Sequence, residues 1–292
     1  MDLIHTIEAM HAHADAVRTA GRRLALVPTM GALHDGHLEL VKTARQLADH
    51  VTVSIFVNPT QFGPNEDYDA YPRTLDTDLA ALESIGGVDA VFAPTPEAMY
   101  PFGLPPYTTV QVRDLDRHLC GATRPGHFKG VTSVVTRLFL ACRPHVAVFG
   151  KKDAQQLAIL RRMTAELGFG IELVGHPIVR EPDGLAMSSR NRYLSSDERA
   201  QAVVLSQALR AAEDAVREGE CSALELATTI RRQLETAPLA RVQYAEIVDA
   251  DTLQPIETLA EDSPSAGRYL AAVAVHFGDT RLIDNTTLVV GD

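Results

Sequence analysis

The chain has 292 residues and only three cysteines, Cys120, Cys142 and Cys221, widely spaced and odd in number. They form no Cys-x-x-Cys pair and no disulfide framework. They read as small buried hydrophobes in a reducing compartment, so the expected location is cytoplasmic. No His/Cys spacing suggests a zinc site. No apolar run approaches the roughly 20 residues that a membrane span needs. The N-terminus lacks the basic and apolar regions of a signal peptide. Positive charge is also scarce: 27 Lys and Arg against 38 Asp and Glu leave a formal net charge of -11. Most of such a surface repels a polyanion, which argues against broad binding to nucleic acid or acidic membranes. A small anion needs only a local basic pocket. Three familiar motifs are missing as well. No GxSxG elbow, no P-loop and no GxGxxG follows a strand, so covalent nucleophilic catalysis, P-loop phosphoryl transfer and dinucleotide binding fall.

What is present alternates. Residues 6–19 read as an amphipathic helix stopped by Gly21, and Leu24-Ala25-Leu26-Val27 as a strand. Helical periodicity follows over 36–48, then a strand over 51–57, a helix over 76–85 and a strand over 88–93. A helix over 129–142 is stopped by Pro144, and Val146-Ala147-Val148-Phe149 is the next strand. A helix over 153–167 has Asp153 as its N-cap, and a fifth strand spans 171–174. Short apolar strands alternating with helices predict an α/β fold, a Rossmann-like open parallel sheet with helices on both faces. In such sheets ligands bind beyond the carboxyl ends of the strands. Past residue 177 the rhythm changes. A capping box at Ser195-Ser196-Asp197-Glu198 opens a long helix to about residue 218. A second helix runs from 222 to about 236, and strand-like runs follow at 242–248, 268–277 and 281–290. The expected domains are 1–176 and a smaller C-terminal α+β lid at 177–292.

Two motifs carry the chemistry. The first is Pro28-Thr29-Met30-Gly31-Ala32-Leu33-His34-Asp35-Gly36-His37, at a strand-to-helix turn. Helix N-termini favour anions through free N–H groups and the dipole. His34 and His37, three positions apart, share one side of the incipient helix and can donate to phosphate oxygens. The second is Gly184-Leu185-Ala186-Met187-Ser188-Ser189-Arg190-Asn191, where two hydroxyls and a guanidinium can wrap a phosphate chain. The helix that follows has its own capping box, so Ser188 and Ser189 are not needed there. A third element, Gly150-Lys151-Lys152-Asp153-Ala154-Gln155-Gln156, follows a strand and opens a helix, with a lysine able to reach phosphates. A fourth, Val57-Asn58-Pro59-Thr60-Gln61-Phe62, puts Gln61 at the sheet's carboxyl edge, where an amide can read hydroxyls or a carboxylate. Arg124, His127 and Lys129 add local positive charge around Pro125-Gly126.

The first two motifs, in this order, look like the HxGH and KMSKS-type signatures of the nucleotidyltransferase superfamily, which runs adenylyl transfer from ATP. The longer set resembles the pantothenate synthetase (pantoate–β-alanine ligase) family. It comprises Pro28 to His37, Phe56 to Phe62, Tyr71-Pro72-Arg73-Thr74, Arg124-Pro125-Gly126-His127-Phe128, Phe149 to Gln156 and Asp183 to Tyr193, spread over two-thirds of the chain.

The resemblance implies ATP-dependent condensation of (R)-pantoate with β-alanine to pantothenate, AMP and pyrophosphate, through an enzyme-bound pantoyl adenylate. It assigns ATP to Met30, Gly31, Ala32, Leu33, His34, Asp35, Gly36, His37, Gly150, Lys151, Lys152, Asp153, Val179, Met187, Ser188, Ser189 and Arg190. His34, His37, Lys152, Ser188, Ser189 and Arg190 would be catalytic, with His37 as proton donor. Gln61 and Gln156 would hold pantoate. Mg²⁺ would accompany ATP. Asp76 and Asp78 are the carboxylates considered for its shell, and the sequence does not choose between them. A homodimer is a family expectation. Two departures stand out: Lys151 where the family commonly has Glu, and Thr60 where it has Met. Lys151 is expected to point away, and Thr60 to loosen an apolar wall beside Gln61. The rival enzyme is a nucleotidyltransferase with a phosphate acceptor, which has no use for two glutamines at the acid-binding end. The rival of another class is a nucleotide-binding protein without catalysis.

Overall fold

The computed structural model describes residues 1–64 and 66–290. The chain divides into two compact units. The first holds residues 1–113, 124–151 and 159–177; the second holds 114–123, 152–158 and 178–292. Two stretches that precede residue 177 therefore belong to the second unit.

The first unit is built on six strands: β1 (Asp2–Ile4), β2 (Leu24–Thr29), β3 (His50–Ile55), β4 (Ala90–Phe92), β5 (Val146–Gly150) and β6 (Glu172–His176). Every pairing is parallel, in the order β1-β4-β3-β2-β5-β6. The helices are α1 (Ile7–Thr19), α2 (Asp35–Leu47), α3 (Leu75–Ile85), the short α4 (Pro96–Met99), and α6 (His127–Cys142), which follows α5 (Leu119–Thr123) of the second unit. Parallel strands are covered on both faces, and the central ones are mostly apolar, with His50, Thr52 and Ser54 of β3 as buried polar exceptions. Alternation then sorts the side chains. Ala25, Val27, Val51, Val53, Val146 and Val148 pack with Leu40, Val41 and Ala44 of α2 and Leu82 of α3. Leu24, Leu26 and Phe92 take the opposite face and are fully buried, on the side where α1 and α6 meet β2. The expected sheet is present with one strand more. The added β1 has only three residues and one buried side chain, too little for a periodic signal.

The strand order sets the ligand crevice. Chain order runs outward from β2 through β3 to β4 on one side, and through β5 to β6 on the other. The connections leaving the neighbours β2 and β5 therefore diverge at their carboxyl ends, which is the topological switch point where open α/β sheets bind ligands. The loop at 30–34 leaves β2 there, and the Gly150-Lys151 turn leaves β5.

In the second unit, an antiparallel sheet of β7 (Ala240–Asp249), β8 (Arg268–Phe277) and β9 (Thr280–Val289) is ordered β7-β8-β9. Tyr269, Ala271, Val273, Val275 and Phe277 of β8 form one apolar face. They pack with Leu205, Leu209 and Ala212 of α9 (Val204–Arg217) and Leu226, Ile230 and Leu234 of α10 (Ala223–Leu234). The long helix expected from residue 196 is two helices, α8 (Ser196–Ala202) and α9, joined at Val203, whose φ of -58° and ψ of -23° remain helical. The capping box at Ser195 is as expected: Glu198 N–H donates to Ser195 Oγ at 3.3 Å, and Ser195 N–H to Glu198 Oε2 at 2.8 Å. Asp153 is not the N-cap of α7 (Ala154–Glu166); it ends a 3-10 turn over Lys151–Asp153 that runs straight into the helix.

Candidate active site

The turn after β2 is held by hydrogen bonds within itself and to Asp78 of α3. Gly31 N–H donates to Thr29 Oγ1 at 3.1 Å. Ala32 and Leu33 N–H donate to the two carboxylate oxygens of Asp78, at 3.0 and 2.8 Å. His34 N–H donates to His37 Nδ1 at 3.3 Å. The amides of Gly31 to His34 are thus engaged in holding the loop. The N–H groups of Asp35 and Gly36 lie at the mouth of α2, where the first N–H groups of a helix have no partner within it. The bond from His34 N–H has a chemical consequence. A main-chain N–H can only donate, so Nδ1 of neutral His37 accepts and its proton sits on Nε2. The two rings lie 4.1 Å apart between centroids.

Asp78 does not fit the role of a magnesium ligand. It is 2% exposed, and its oxygens also accept from the Thr74 hydroxyl at 3.3 Å. It clamps a strained turn: Gly31 has φ +80° and Ala32 φ +51°. A Cβ on Gly31 would lie 3.0 Å from Asp78 Oδ2 and 3.1 Å from Ile55 Cγ2, so a side chain there would press on the clamp. Asp76 is exposed. Among the described residues, no three His, Cys, Asp or Glu side chains cluster as a metal cage.

Gln61 ends a 3-10 turn at Pro59–Gln61, one connection beyond β3. Its amide orientation follows from Asn58, which is 1% exposed. Asn58 Oδ1 accepts from Thr60 N–H at 3.3 Å and from Tyr100 OH at 2.6 Å. Its Nδ2 therefore donates, to Gly130 O at 3.3 Å and Gln61 Oε1 at 3.1 Å. Gln61 is left with Nε2 outward, 3.1 Å from Met30 Sδ. The outward end of Gln61 is a donor, suited to a carboxylate or hydroxyl oxygen. Thr60 Oγ1 joins the same network through Asn58 Oδ1 at 3.0 Å, so the departure at Thr60 contributes to the amide's orientation. Gly130 of α6 makes the close approach possible: a Cβ there would fall 2.2 Å from Thr60 O and 2.7 Å from Gln61 Cα.

Arg124 is not directed at a substrate. Its Nε and Nη2 donate to Glu66 at 2.6 Å each. Burial pushes the Glu66 carboxyl up, but the Arg124 hydrogen bonds and charge outweigh it and hold the pKa below the usual value. Arg124 also donates to His127 Nε2 at 3.0 Å, so neutral His127 carries its proton on Nδ1 and donates to Gln61 O at 2.8 Å. Both residues support the Gln61 turn.

In the second unit, Lys152 is half-buried, whereas Lys151, in the first, is exposed. Gln156 is half-buried on the first turn of α7. Its neighbour Gln155 is a residue that sequence reasoning missed. Its Nε2 donates to Leu115 O at 2.8 Å and His118 O at 2.9 Å, and its Oε1 accepts from Cys120 N–H at 3.0 Å. It ties the segment 114–123 to the start of α7.

The second motif is the arm of a tight hairpin. Met187 N–H donates to Val179 O at 2.9 Å, Glu181 N–H to Leu185 O at 2.8 Å, and Gly184 N–H to Glu181 O at 2.8 Å. Arg199 of α8 braces it through Glu181 at 2.6 Å and Asp183 at 2.7 Å. Ser188 then caps a 3-10 turn at Ser189–Tyr193, accepting from Arg190 N–H at 3.3 Å. Ser188 thus caps this short turn, while the helix that follows has Ser195 as its own cap, as expected. A hydroxyl that accepts one bond keeps its own proton to donate.

A family model described as pantoate-beta-alanine ligase matches residues 2–287. The chain belongs to the pantoate–β-alanine ligase family. The pantothenate synthetase of Salinibacter ruber is 58% identical over 295 residues, covering 99% of this chain and 98% of that protein. The crystal structure of the Thermus thermophilus pantothenate synthetase has a TM-score of 0.88 at 45% identity, covering 98% of this chain and 99% of that one. A pantoate-beta-alanine ligase from Francisella tularensis, crystallised with beta-gamma ATP and beta-alanine, has a TM-score of 0.78 at 32% identity over 98% of this chain and 97% of that one. The chain is thus a ligase, and its reaction joins pantoate to β-alanine.

Proposed function

We propose that the chain activates the carboxylate of (R)-pantoate with ATP, as an enzyme-bound pantoyl adenylate, and that the amine of β-alanine then displaces AMP to give pantothenate. A carboxylate is a poor acyl donor, and adenylation gives it a good leaving group. The observation that carries this reading is the topological switch point, where the histidine turn and the lysine turn leave the adjacent strands β2 and β5.

Met30 to His37 and Gly150-Lys151 serve the nucleotide in this reading, which the family resemblance of these segments supports. His37 Nε2–H and His34 stabilise charge that grows on the transferring phosphate and on departing pyrophosphate. Lys152, Asp153, Val179, Met187, Ser188, Ser189 and Arg190 are read as nucleotide residues on the same resemblance. Lys152, the serine hydroxyls and the Arg190 guanidinium serve the phosphates. Gln61, with its donor end outward, and Gln156 hold pantoate. No enzyme nucleophile is needed, so catalysis rests on positioning and charge stabilisation. Mg²⁺ accompanies ATP, held by phosphates and waters, and when bound it neutralises part of the triphosphate charge. The clamped Asp78 is not among its ligands.

The working form is a homodimer in the cytoplasm. Phe102 and Tyr107, 86% and 93% exposed, with Leu104 and Leu140 nearby, form an apolar surface that a second copy would cover. Cys120, Cys142 and Cys221 are free thiols, and no helix among the described residues is long and apolar enough to cross a membrane.

The test is exchange of labelled pyrophosphate into ATP with β-alanine omitted. Exchange that requires pantoate is the expected result. Exchange with another acid moves the substrate. Absence of exchange with any acid, despite ATP binding, overturns the adenylate mechanism and favours a transferase with a phosphate acceptor.

A further inference from the structure

The edge strand β9 carries two consecutive polar residues that are both buried, Asp284 and Asn285. Pleating sends adjacent side chains to opposite faces of a sheet. Asp284 shares its face with Leu282 and Leu288, which belong to the apolar core under the helices. Thr286, between them, donates to Glu213 of α9. The sheet itself would accept a leucine at position 284. A lone carboxylate there would be costly, and it is tolerated because it is paired.

The pairs lead to the two nucleotide loops of this unit. Asp284 accepts from Arg180 Nη1 at 2.6 Å and Nη2 at 3.1 Å. The same Nη1 donates to Gly184 O at 3.0 Å, across the hairpin that ends in Ser188-Ser189-Arg190. On the other face, Asn285 Nδ2 donates to the carbonyl of Lys152 at 2.7 Å. One dipeptide therefore anchors the hairpin through one face of the strand and the lysine turn through the other.

We propose that Asp284 and Asn285 are positioning residues for ATP, setting the Lys152 turn and the Ser188–Arg190 turn in register with each other. The proposal rests on the reading of those two turns as phosphate-binding. The fork of Arg180 matches a carboxylate in two directions, which fixes the hairpin's angle as well as its distance. The neutral amide of Asn285 anchors a main-chain carbonyl without adding negative charge beside a lysine meant for phosphate. Neither residue touches substrate in this account.

The test compares full-length wild type with Asn285→Ala, Asn285→Ser and Asp284→Asn. ATP Kd is read by calorimetry, KM for ATP and for pantoate by pyrophosphate exchange, and stability by thermal melting. Loss of the hydrogen bond to the Lys152 carbonyl is expected to weaken ATP about tenfold in Asn285→Ala while KM for pantoate stays within about twofold. Asn285→Ser, which keeps a short donor, should fall between, and it decides the matter by the same split if the alanine variant does not fold. A residue with a merely structural role would lower the melting temperature and leave ATP Kd of the folded enzyme unchanged; that result overturns the proposal, as does an equal rise in both KM values. Wild type that binds ATP but exchanges no pyrophosphate would count against the ligase mechanism alone, because the calorimetric comparison still stands.

Discussion

Asp78→Asn isolates the clamp under the histidine turn. The carboxylate accepts two loop amides, Ala32 N–H and Leu33 N–H, one on each oxygen. Asparagine keeps the shape but turns one oxygen into an NH₂ group. Whichever oxygen is replaced, a loop N–H then faces a donor. A hydrogen bond to an ionised acceptor contributes about 1.5–3 kcal/mol, and a buried donor left unsatisfied costs about as much. Ala32 is held at φ +51°, a left-handed conformation that costs about 1–2 kcal/mol for a residue with a Cβ. With the clamp weakened, the loop gains by relaxing out of it. A net loss of about 2–3 kcal/mol in loop positioning corresponds to a fall of roughly 30- to 150-fold in kcat/KM for ATP. The assay is pantoate-dependent pyrophosphate exchange, with circular dichroism to establish folding. Mg²⁺ is titrated in parallel, because loss of a metal ligand would be rescued by excess Mg²⁺ and loss of a loop clamp would not. A folded Asp78→Asn enzyme with wild-type kcat/KM for ATP, or full recovery at high Mg²⁺, refutes the clamp.

Gly130→Ala should push the Thr60–Gln61 main chain off α6, because its Cβ would sit 2.2 Å from Thr60 O; KM for pantoate is expected to rise on the order of tenfold or more, with ATP Kd little changed. Gln61→Glu replaces the outward donor with a charged acceptor and should weaken pantoate by about 100-fold at neutral pH while sparing ATP; an unchanged KM for pantoate would refute the amide orientation deduced from Asn58. Stability should fall as pH drops below about 6.5. Burial lowers the pKa of His50, His145 and His276, with Arg18 and Arg23 adding at His145 and Arg241 and Arg281 at His276. At His50, Asp89 and Asp2 oppose the shift, while His13 and Arg22 reinforce it. The unfolded chain therefore takes up protons first, from its own pKa down to the depressed folded values, and the native state loses ground over that window. Urea midpoints measured from pH 7 to 5 should decline, less steeply in His50→Gln; a midpoint that rises on acidification would contradict the burial argument.

The sheet was legible because its strands are short apolar runs separated by helical periodicity, a signal local to each segment. The strand Asp2–Ile4 was not, since a three-residue edge strand with one buried side chain has no period to read. The break at Val203 was equally silent, because nothing at 202–204 disrupts a helix by its own chemistry. The loops bearing the histidines, lysines and serines were visible as motifs. Their supports were not, because the partners are remote in sequence: Asp78 from Ala32, Asn58 from Tyr100, Asp284 from Arg180, Asn285 from Lys152. Gly130 left a faint mark. An isolated glycine inside a helical stretch costs about 1 kcal/mol relative to alanine, and here it buys the contact that seats Gln61.

Charge is where sequence and structure diverge most instructively. Arg124, Lys152 and Arg190 lie in the motif segments and Arg180 and Arg199 close by, and by charge alone each is equally a cation for phosphate. The fold sorts them. Arg124 is committed to Glu66, Arg180 to Asp284, and Arg199 to Glu181 and Asp183, each with an N–O distance of 2.6 or 2.7 Å. These pairs hold the Gln61 turn and the serine hairpin, and they add no net charge to the site. A chain with a formal charge of -11 can still receive a triphosphate under this arrangement, because Glu66, Asp78, Glu181, Asp183 and Asp284 are committed to holding the loops. What each loop then presents is local and of one kind: N–H groups and an imidazole Nε2–H at the mouth of α2, a lysine at the end of β5, hydroxyls and a guanidinium beyond the hairpin. Under the proposed reading, Asp78 and Asp284 each serve a phosphate-binding loop indirectly, Asp78 by accepting from main chain and Asp284 by accepting from Arg180.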